Sequence, residues 1–297
     1  MKTINIEDYA SAIELNTPYQ VMPVALEVNE ALEMLWRELE PTLAAMSAPE
    51  RADCDANRQR QWIDAAITLL PPNALSPKGE AALDALLMAE KQQREMTSIE
   101  SLLAMPFLTI GSTKIVLWKG DITTLEVDAI VNAANHQMLG CFQPGHKCID
   151  NAIHNRAGVQ LRRDCNTIME IQGHDEAAGQ AKITRGYHLP ARYVIHTVGP
   201  VVSGIVQEAD RATLASSYRS VLDISQKVSG IDSLALCSIS TGVYGYPIEQ
   251  ATPIAIQETV EWIKANPNKL NSVVFNVFSD RDYVVYQSLL EEFVCQQ

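Results

Sequence analysis

Basic residues are in short supply: 23 Lys and Arg stand against 36 Asp and Glu in 297 residues, a formal net charge of −13. So acidic a chain repels a polyphosphate backbone, which argues against duplex nucleic acid as a partner. Long apolar runs are missing too. No stretch of about 18 such residues occurs, so no membrane span is expected. The opening Met1-Lys2-Thr3-Ile4-Asn5 lacks the apolar core of a secretory signal, and the expected address is the cytoplasm. Cysteine is sparse, six in the chain, too few for a disulfide scaffold; a close Cys/His group therefore reads as metal-binding or reactive. There is no internal repeat, low-complexity tract or long Gly/Ser linker. What is present, 47% apolar and 20% charged residues, is the composition of an ordinary globular chain with room for one large domain or two modest ones.

The pattern along the chain is bipartite. Residues 1 to about 100 are the more acidic part and show helical signals. Val24, Val28, Leu32, Leu35 and Leu39 recur at helical spacing up to Pro41. Ser47-Ala48-Pro49-Glu50 reads as a capping box opening a helix through Trp62, Ile63 and Ile67 to Pro71-Pro72. Ser76-Pro77 opens another, with Leu83, Leu86 and Leu87 on its buried face and a polar end near Lys91 to Arg94. From Phe107 onward β-rich runs (114–118, 129–132, 193–198, 233–238 and 272–278) alternate with helical periodicity (148–156, 208–227, 249–264 and 281–293). That alternation predicts a largely parallel sheet covered on both faces, with ligands bound in loops at the carboxyl ends of its strands.

Four segments following expected strands carry groups ill suited to a core. Gly120-Asp121-Ile122-Thr123 fits a plain turn or a ligand loop. The carboxamides of Asn132-Ala133-Ala134-Asn135 must bond either neighbouring loops or ligand hydroxyls. Ser240-Thr241-Gly242-Val243-Tyr244-Gly245 suits a tight turn or a backbone anion cradle, and without a P-loop lysine it disfavours ATP hydrolysis. In Cys141-Phe142-Gln143-Pro144-Gly145-His146-Lys147-Cys148, three good zinc ligands would leave a fourth tetrahedral position for water or substrate. The bland reading is two unrelated buried cysteines beside a surface histidine. His136, His154, His174, His188 and His196 read as ordinary buried imidazoles or partners of a metal ligand, and Cys54, Cys165, Cys237 and Cys295 as packing residues. Trp36 and Trp62 read as helical core.

Taken in order, Gly120-Asp121-Ile122-Thr123, the Val127 to Asn135 run, Gly179-Gln180-Ala181, Ile195-His196-Thr197-Val198-Gly199-Pro200 and Ile239 to Pro247 closely resemble the macrodomain family over residues 107 to 297. The resemblance implies a three-layer α/β/α fold with a mixed sheet, here preceded by a small all-α domain: residues 1–105 helical, 106–297 macrodomain. It implies ADP-ribose as ligand. Asp121 would bond the adenine amino group with the backbone of Ile122 alongside, Asn132 would be a further ADP-ribose-binding residue, Asn135 would reach the distal ribose with Tyr244 packed against it, and Ser240, Thr241, Gly242, Val243, Tyr244 and Gly245 would wrap the diphosphate. Asp150, preceding Ile153-His154, matches the aspartate of hydrolytic members. Where those members carry a glycine-rich stretch, this chain has Cys141, His146 and Cys148, and that departure resembles the zinc-dependent, sirtuin-associated microbial branch.

The resemblance thus implies a Zn2+-dependent hydrolase removing mono-ADP-ribose from modified proteins. Asp150 and Asn135 would be its catalytic residues, a lipoyl-carrier-type protein a plausible substrate, and a sirtuin-type ADP-ribosyltransferase its functional counterpart. Three alternatives fit the same residues: a non-catalytic reader of ADP-ribosylated proteins with a structural zinc, an O-acetyl-ADP-ribose deacetylase, and a helical N-terminal docking module as the functional half.

Overall fold

The computed structural model describes residues 3–20, 26–104 and 106–295. Its helices are α1 (Ile6–Tyr9), α2 (Val28–Glu38), α3 (Glu40–Ala45), α4 (Ala56–Leu69), α5 (Pro77–Gln93), α6 (Ile99–Leu103), α7 (Ile149–Ala157), α8 (Val159–Gln172), α9 (Glu208–Ser225), α10 (Ile248–Ala265) and α11 (Asp280–Cys295). Its strands are β1 (Thr97–Ser98), β2 (Leu108–Ile110), β3 (Thr113–Lys119), β4 (Leu125–Glu126), β5 (Ala129–Ala133), β6 (Ala181–Arg185), β7 (Tyr193–Thr197), β8 (Ser233–Cys237) and β9 (Ser272–Val277). Seven strands form one sheet in the order β2-β3-β9-β8-β5-β7-β6, and β1 pairs with β4 apart from it. The inner strands β3, β9, β8, β5 and β7 run parallel, while β2 and β6 close the edges antiparallel. Every residue of β8 and β9 is buried, so helices cover both faces, as expected of a mixed sheet between helical layers.

The helical signals of the N-terminal part hold in the main. Leu32, Leu35, Ile63, Ala66, Leu83, Leu86 and Leu87 share one apolar cluster with Trp36 and, partly buried, Trp62. Ser76 caps α5 by accepting from the Gly79 amide at 3.1 Å. Helix α2 ends at Glu38, before Pro41, and Pro41 then sits in the first turn of α3, a position where its missing N–H costs nothing. Two expectations need correction. Ser47 has φ of 57°, which is incompatible with an extended N-cap, so α4 begins later, at Ala56, capped by Asp55, whose side chain accepts from Arg58 N at 2.8 Å. Cys54 follows a short 3-10 turn and lies outside a helix. Val24 lies outside the described residues, as does Met105 at the proposed boundary.

Packing partitions the chain differently from a cut at that boundary. Ile6, Tyr9, Ile13 and Leu15 join the sheet's core, together with Leu102. The Tyr9 hydroxyl accepts from the Ile183 amide of β6 at 2.9 Å. The bundle of α2, α4 and α5 is therefore flanked on both sides in sequence by segments buried with the sheet.

Candidate functional site

Because the five inner strands are parallel, the loops leaving β3, β5, β7, β8 and β9 gather along one edge of the sheet. A cavity of about 800 Å³ opens there. Gly120, Asp121 and Ile122 line it from the loop after β3, Asn276 and Phe278 from the end of β9, and His146 and Cys148 from the loop before α7. Helix α7 lines it through Ile149, Asn151, Ala152, Asn155 and Arg156, and α4 of the bundle through Gln61, Asp64, Ala65 and Thr68. Phe278, 80% exposed, offers an unusually bare aromatic face for a ring to cover.

The loop after β8 is built for close approach. Ser240 holds φ of 65°, a strained value for a non-glycine residue, and its buried Oγ has no partner among the described residues. Gly199 makes room for it, since a Cβ at that position would lie 2.0 Å from Ser240 Oγ. Gly245 has φ of 70°, and a Cβ there would meet the Val202 carbonyl at 2.9 Å. Among the described residues the amides of Gly242, Val243 and Tyr244 donate to no protein group, which leaves a row of N–H dipoles open to an anion. Tyr244 packs partly buried against Ala134, Met138, Cys165 and Val198.

Beneath this loop lies a buried polar cluster. Asn132 Nδ2 donates to Asp150 Oδ1 at 2.8 Å and to His196 Nδ1 at 3.1 Å, while its Oδ1 is unpartnered. With Nδ1 accepting, the His196 Nε2–H faces Thr184 Oγ1 at 2.9 Å, so both ring nitrogens are taken. Burial pushes His196 down to about 3 and lowers His154 well below the usual imidazole range. Burial also raises Asp150 to about 6, against the opposing hydrogen bond from Asn132 and the nearby Arg162 cation. Arg162 is itself buried; it donates to the carbonyls of Ile67 and Leu70 at the end of α4, and its guanidinium lies 4.6 Å from the centre of the Phe142 ring.

Cys141, His146 and Cys148 come together: Sγ, ring nitrogen and Sγ all lie within 4.8 Å of one another, with Cys141 Sγ 3.2 Å from His146 Nδ1. The segment turns back on itself through positive φ at Phe142 and Gly145. Asn151 ties it down, its Nδ2 donating to the carbonyls of Gln143 and His146. Two sulfurs and an imidazole in such proximity fit the donor chemistry of a zinc ion. His154, Cys165 and His196 form a second close group, but the engaged nitrogens of His196 leave it no lone pair to give.

Residues 131–255 match the Macro domain family. A protein-ADP-ribose hydrolase of Treponema medium is 42% identical over 259 residues, spanning 87% of this chain and 96% of the relative. The chain belongs to the macrodomain protein-ADP-ribose hydrolases. An Oceanobacillus iheyensis macrodomain variant solved with ADPR superimposes with a TM-score of 0.58 at 35% identity, covering 64% of this chain and 98% of that one. A Trypanosoma brucei macrodomain in complex with ADP-ribose gives 0.59 at 33%, covering 76% and 94%.

Within this macrodomain the residues singled out from the sequence fall into four groups. Asp121, Ile122, His146 and Cys148 line one cavity, Cys141 and the Ser240 to Gly245 loop are not among its lining residues, and Asn132 and Asp150 bond each other. Asn135 is engaged locally: Oδ1 accepts from the Gln137 and Met138 amides, and Nδ2 donates to the Gly140 carbonyl. Its carboxamide thereby shapes the loop that leads to Cys141. Residues of the site missed from the sequence include Arg162, Phe278, Asn276 and the α4 residues Gln61, Asp64 and Thr68; an aromatic directly after an apolar strand run was the available signal for Phe278, and Arg162 had none.

Proposed function

We propose that this macrodomain hydrolyses the bond between the distal ribose of ADP-ribose and a protein side chain, in the zinc-dependent manner implied by Cys141, His146 and Cys148. The observation that carries the reading is that two members of that close donor set, His146 and Cys148, line one cavity with Asp121 and Ile122. The Treponema relative's name as a protein-ADP-ribose hydrolase supports hydrolysis over passive reading.

Cys141, His146 and Cys148 would hold the zinc, which when bound supplies Lewis acidity near the reacting sugar. The open amides of Gly242, Val243 and Tyr244 bind the diphosphate without spending a positive charge, which suits so acidic a chain. Asp121 and Ile122 take the adenine, and Phe278 covers its face. Asp150 sits at the N-terminal turn of α7, where the helix dipole favours its anion, and Asn132 fixes one of its oxygens. The other oxygen is left to orient water or a ribose hydroxyl. Asn135 acts through the shape of its loop as well as by any contact with the ribose.

The test is release of ADP-ribose from a mono-ADP-ribosylated protein, with a lipoyl-carrier-type protein among the substrates and O-acetyl-ADP-ribose run in parallel. Cys148→Ser is the informative variant, because Cys148 caps α7 through the Asn151 amide at 3.4 Å and serine preserves that cap. About one zinc per chain in the wild type, with zinc and turnover both lost in the variant, is the expected result. Turnover that survives loss of the metal overturns the zinc reading. Tight ADP-ribose binding with no release from any linkage makes the protein a reader.

A further inference from the structure

The contact that joins the bundle to the base-recognition loop is a three-way clamp. Arg94, the residue that ends α5, donates through Nη2 to Asp121 Oδ2 at 3.0 Å and to Thr123 Oγ1 at 2.8 Å. Thr123 in turn gives its amide and its hydroxyl to Asp121 Oδ1, at 2.9 and 2.7 Å. A carboxylate has about four acceptor positions. Three are filled here, two on Oδ1 and one on Oδ2, so a single lone pair of Oδ2 stays open beside the cavity.

The base of Arg94 is anchored on the bundle side. Its amide bonds the Glu90 carbonyl at 3.1 Å, and one turn back the Lys91 ammonium holds the Leu189 carbonyl at 2.9 Å. Glu90 pairs with both Arg60 of α4 and Arg156 of α7. The position of the guanidinium is therefore set by the docking of the bundle on the sheet. Asp121 is 45% exposed in its side chain, and an ion pair so open to water adds little to folding stability. Its effect lies in orientation: without Arg94, Oδ2 is free to turn away or to accept a second water.

We propose that Arg94 is a specificity-determining residue, fixing Asp121 so that its one open lone pair accepts the exocyclic amino group of adenine. The inference rests on the reading of Asp121 given under the proposed function. A purine with an oxo group at that position would bring an acceptor against the carboxylate and be rejected. The bundle is then part of the nucleotide site, with α4 as one wall and Arg94 as its clamp.

The experiment measures binding of ADP-ribose and of its hypoxanthine counterpart, inosine diphosphate ribose, to the full chain by calorimetry. It compares wild type, Arg94→Gln and Arg94→Lys, with a thermal melt for each. The expected wild type prefers ADP-ribose by tenfold or more. Arg94→Gln should cut that preference about fivefold, and Arg94→Lys should recover only part of it, since its shorter side chain must bring an ammonium to the point from which Nη2 alone serves both Asp121 and Thr123. Melting temperatures should stay close to wild type. An equal loss of affinity for both ligands, with the preference intact, marks Arg94 as merely structural and overturns the proposal. A wild type without any preference overturns the Asp121 reading itself, and the proposal with it.

Discussion

Replacing Arg162 with methionine should separate the bundle from the sheet energetically while nearly conserving side-chain volume. Arg162 is only 5% exposed and donates to the Ile67 carbonyl at 3.0 Å, which also accepts from the Leu70 amide, and to the Leu70 carbonyl just past the end of α4. A hydrogen bond from a charged group contributes about 1.5–3 kcal/mol, and a desolvated guanidinium over an aromatic ring such as Phe142 about 2 kcal/mol. The desolvation of the buried cation offsets part of this. The variant removes that cost as well, so the expected net loss is about 3–5 kcal/mol. Urea denaturation reads it in a Trp118→Phe, Trp262→Phe background, where Trp36 and Trp62 report the bundle by fluorescence and far-ultraviolet dichroism reports the whole. The midpoint should fall, and the fluorescence transition should precede the dichroism transition. A loss below about 1 kcal/mol with coincident transitions would refute the reasoning, because the two carbonyls would then be no worse off bonded to water.

Two other perturbations address the buried charges. Lys182 and Glu176 are almost fully buried and paired; Lys182→Met alone should cost about 3–5 kcal/mol by stranding the carboxylate, whereas Lys182→Met combined with Glu176→Leu should return to within about 1 kcal/mol of wild type or exceed it, as measured by a denaturation double-mutant cycle. His196, neutral in the fold and pushed down to about 3, is surrounded by Asn132, Thr184, Cys165 and the His154 ring, none of which supplies an anion to hold a proton there. Its stabilising contribution is complete above its unfolded value near 6.5 and is lost as pH falls toward 3. Between about pH 4 and 6 it should add roughly 1.4 kcal/mol per pH unit to the slope of stability against pH. His196→Gln, which can still accept from Asn132 and donate to Thr184, should lose that increment; an unchanged slope in the variant would contradict the assignment.

What could be read from the chain beforehand follows from where the information sits. The buried runs of β5, β8 and β9 announce themselves because a strand covered on both faces is apolar at every position. Strand β6 escaped notice because its buried centre includes Lys182 and Thr184, satisfied by Glu176 and by His196. Helix α8 left no clear apolar pattern, since Gln160, Arg162 and Asp164 are buried by pairing with groups far along the chain and blur the apolar periodicity. The thiol and imidazole set was visible because its members lie within eight positions. Arg94 was not, because its meaning depends on a carboxylate 27 residues later and on how the bundle docks.

The placement of Ile6 to Leu15 in the sheet core makes the bundle an insertion into the larger fold instead of a preface to it. Tyr9 meets Ile183 across 174 positions, so closing that contact carries the entropy of a very long loop. Contacts so distant in sequence raise the contact order and slow folding. The bundle can gather early from its own local contacts and shorten the effective loop. The core of the sheet, by contrast, stays incomplete until β6 is in place to receive the Tyr9 hydroxyl.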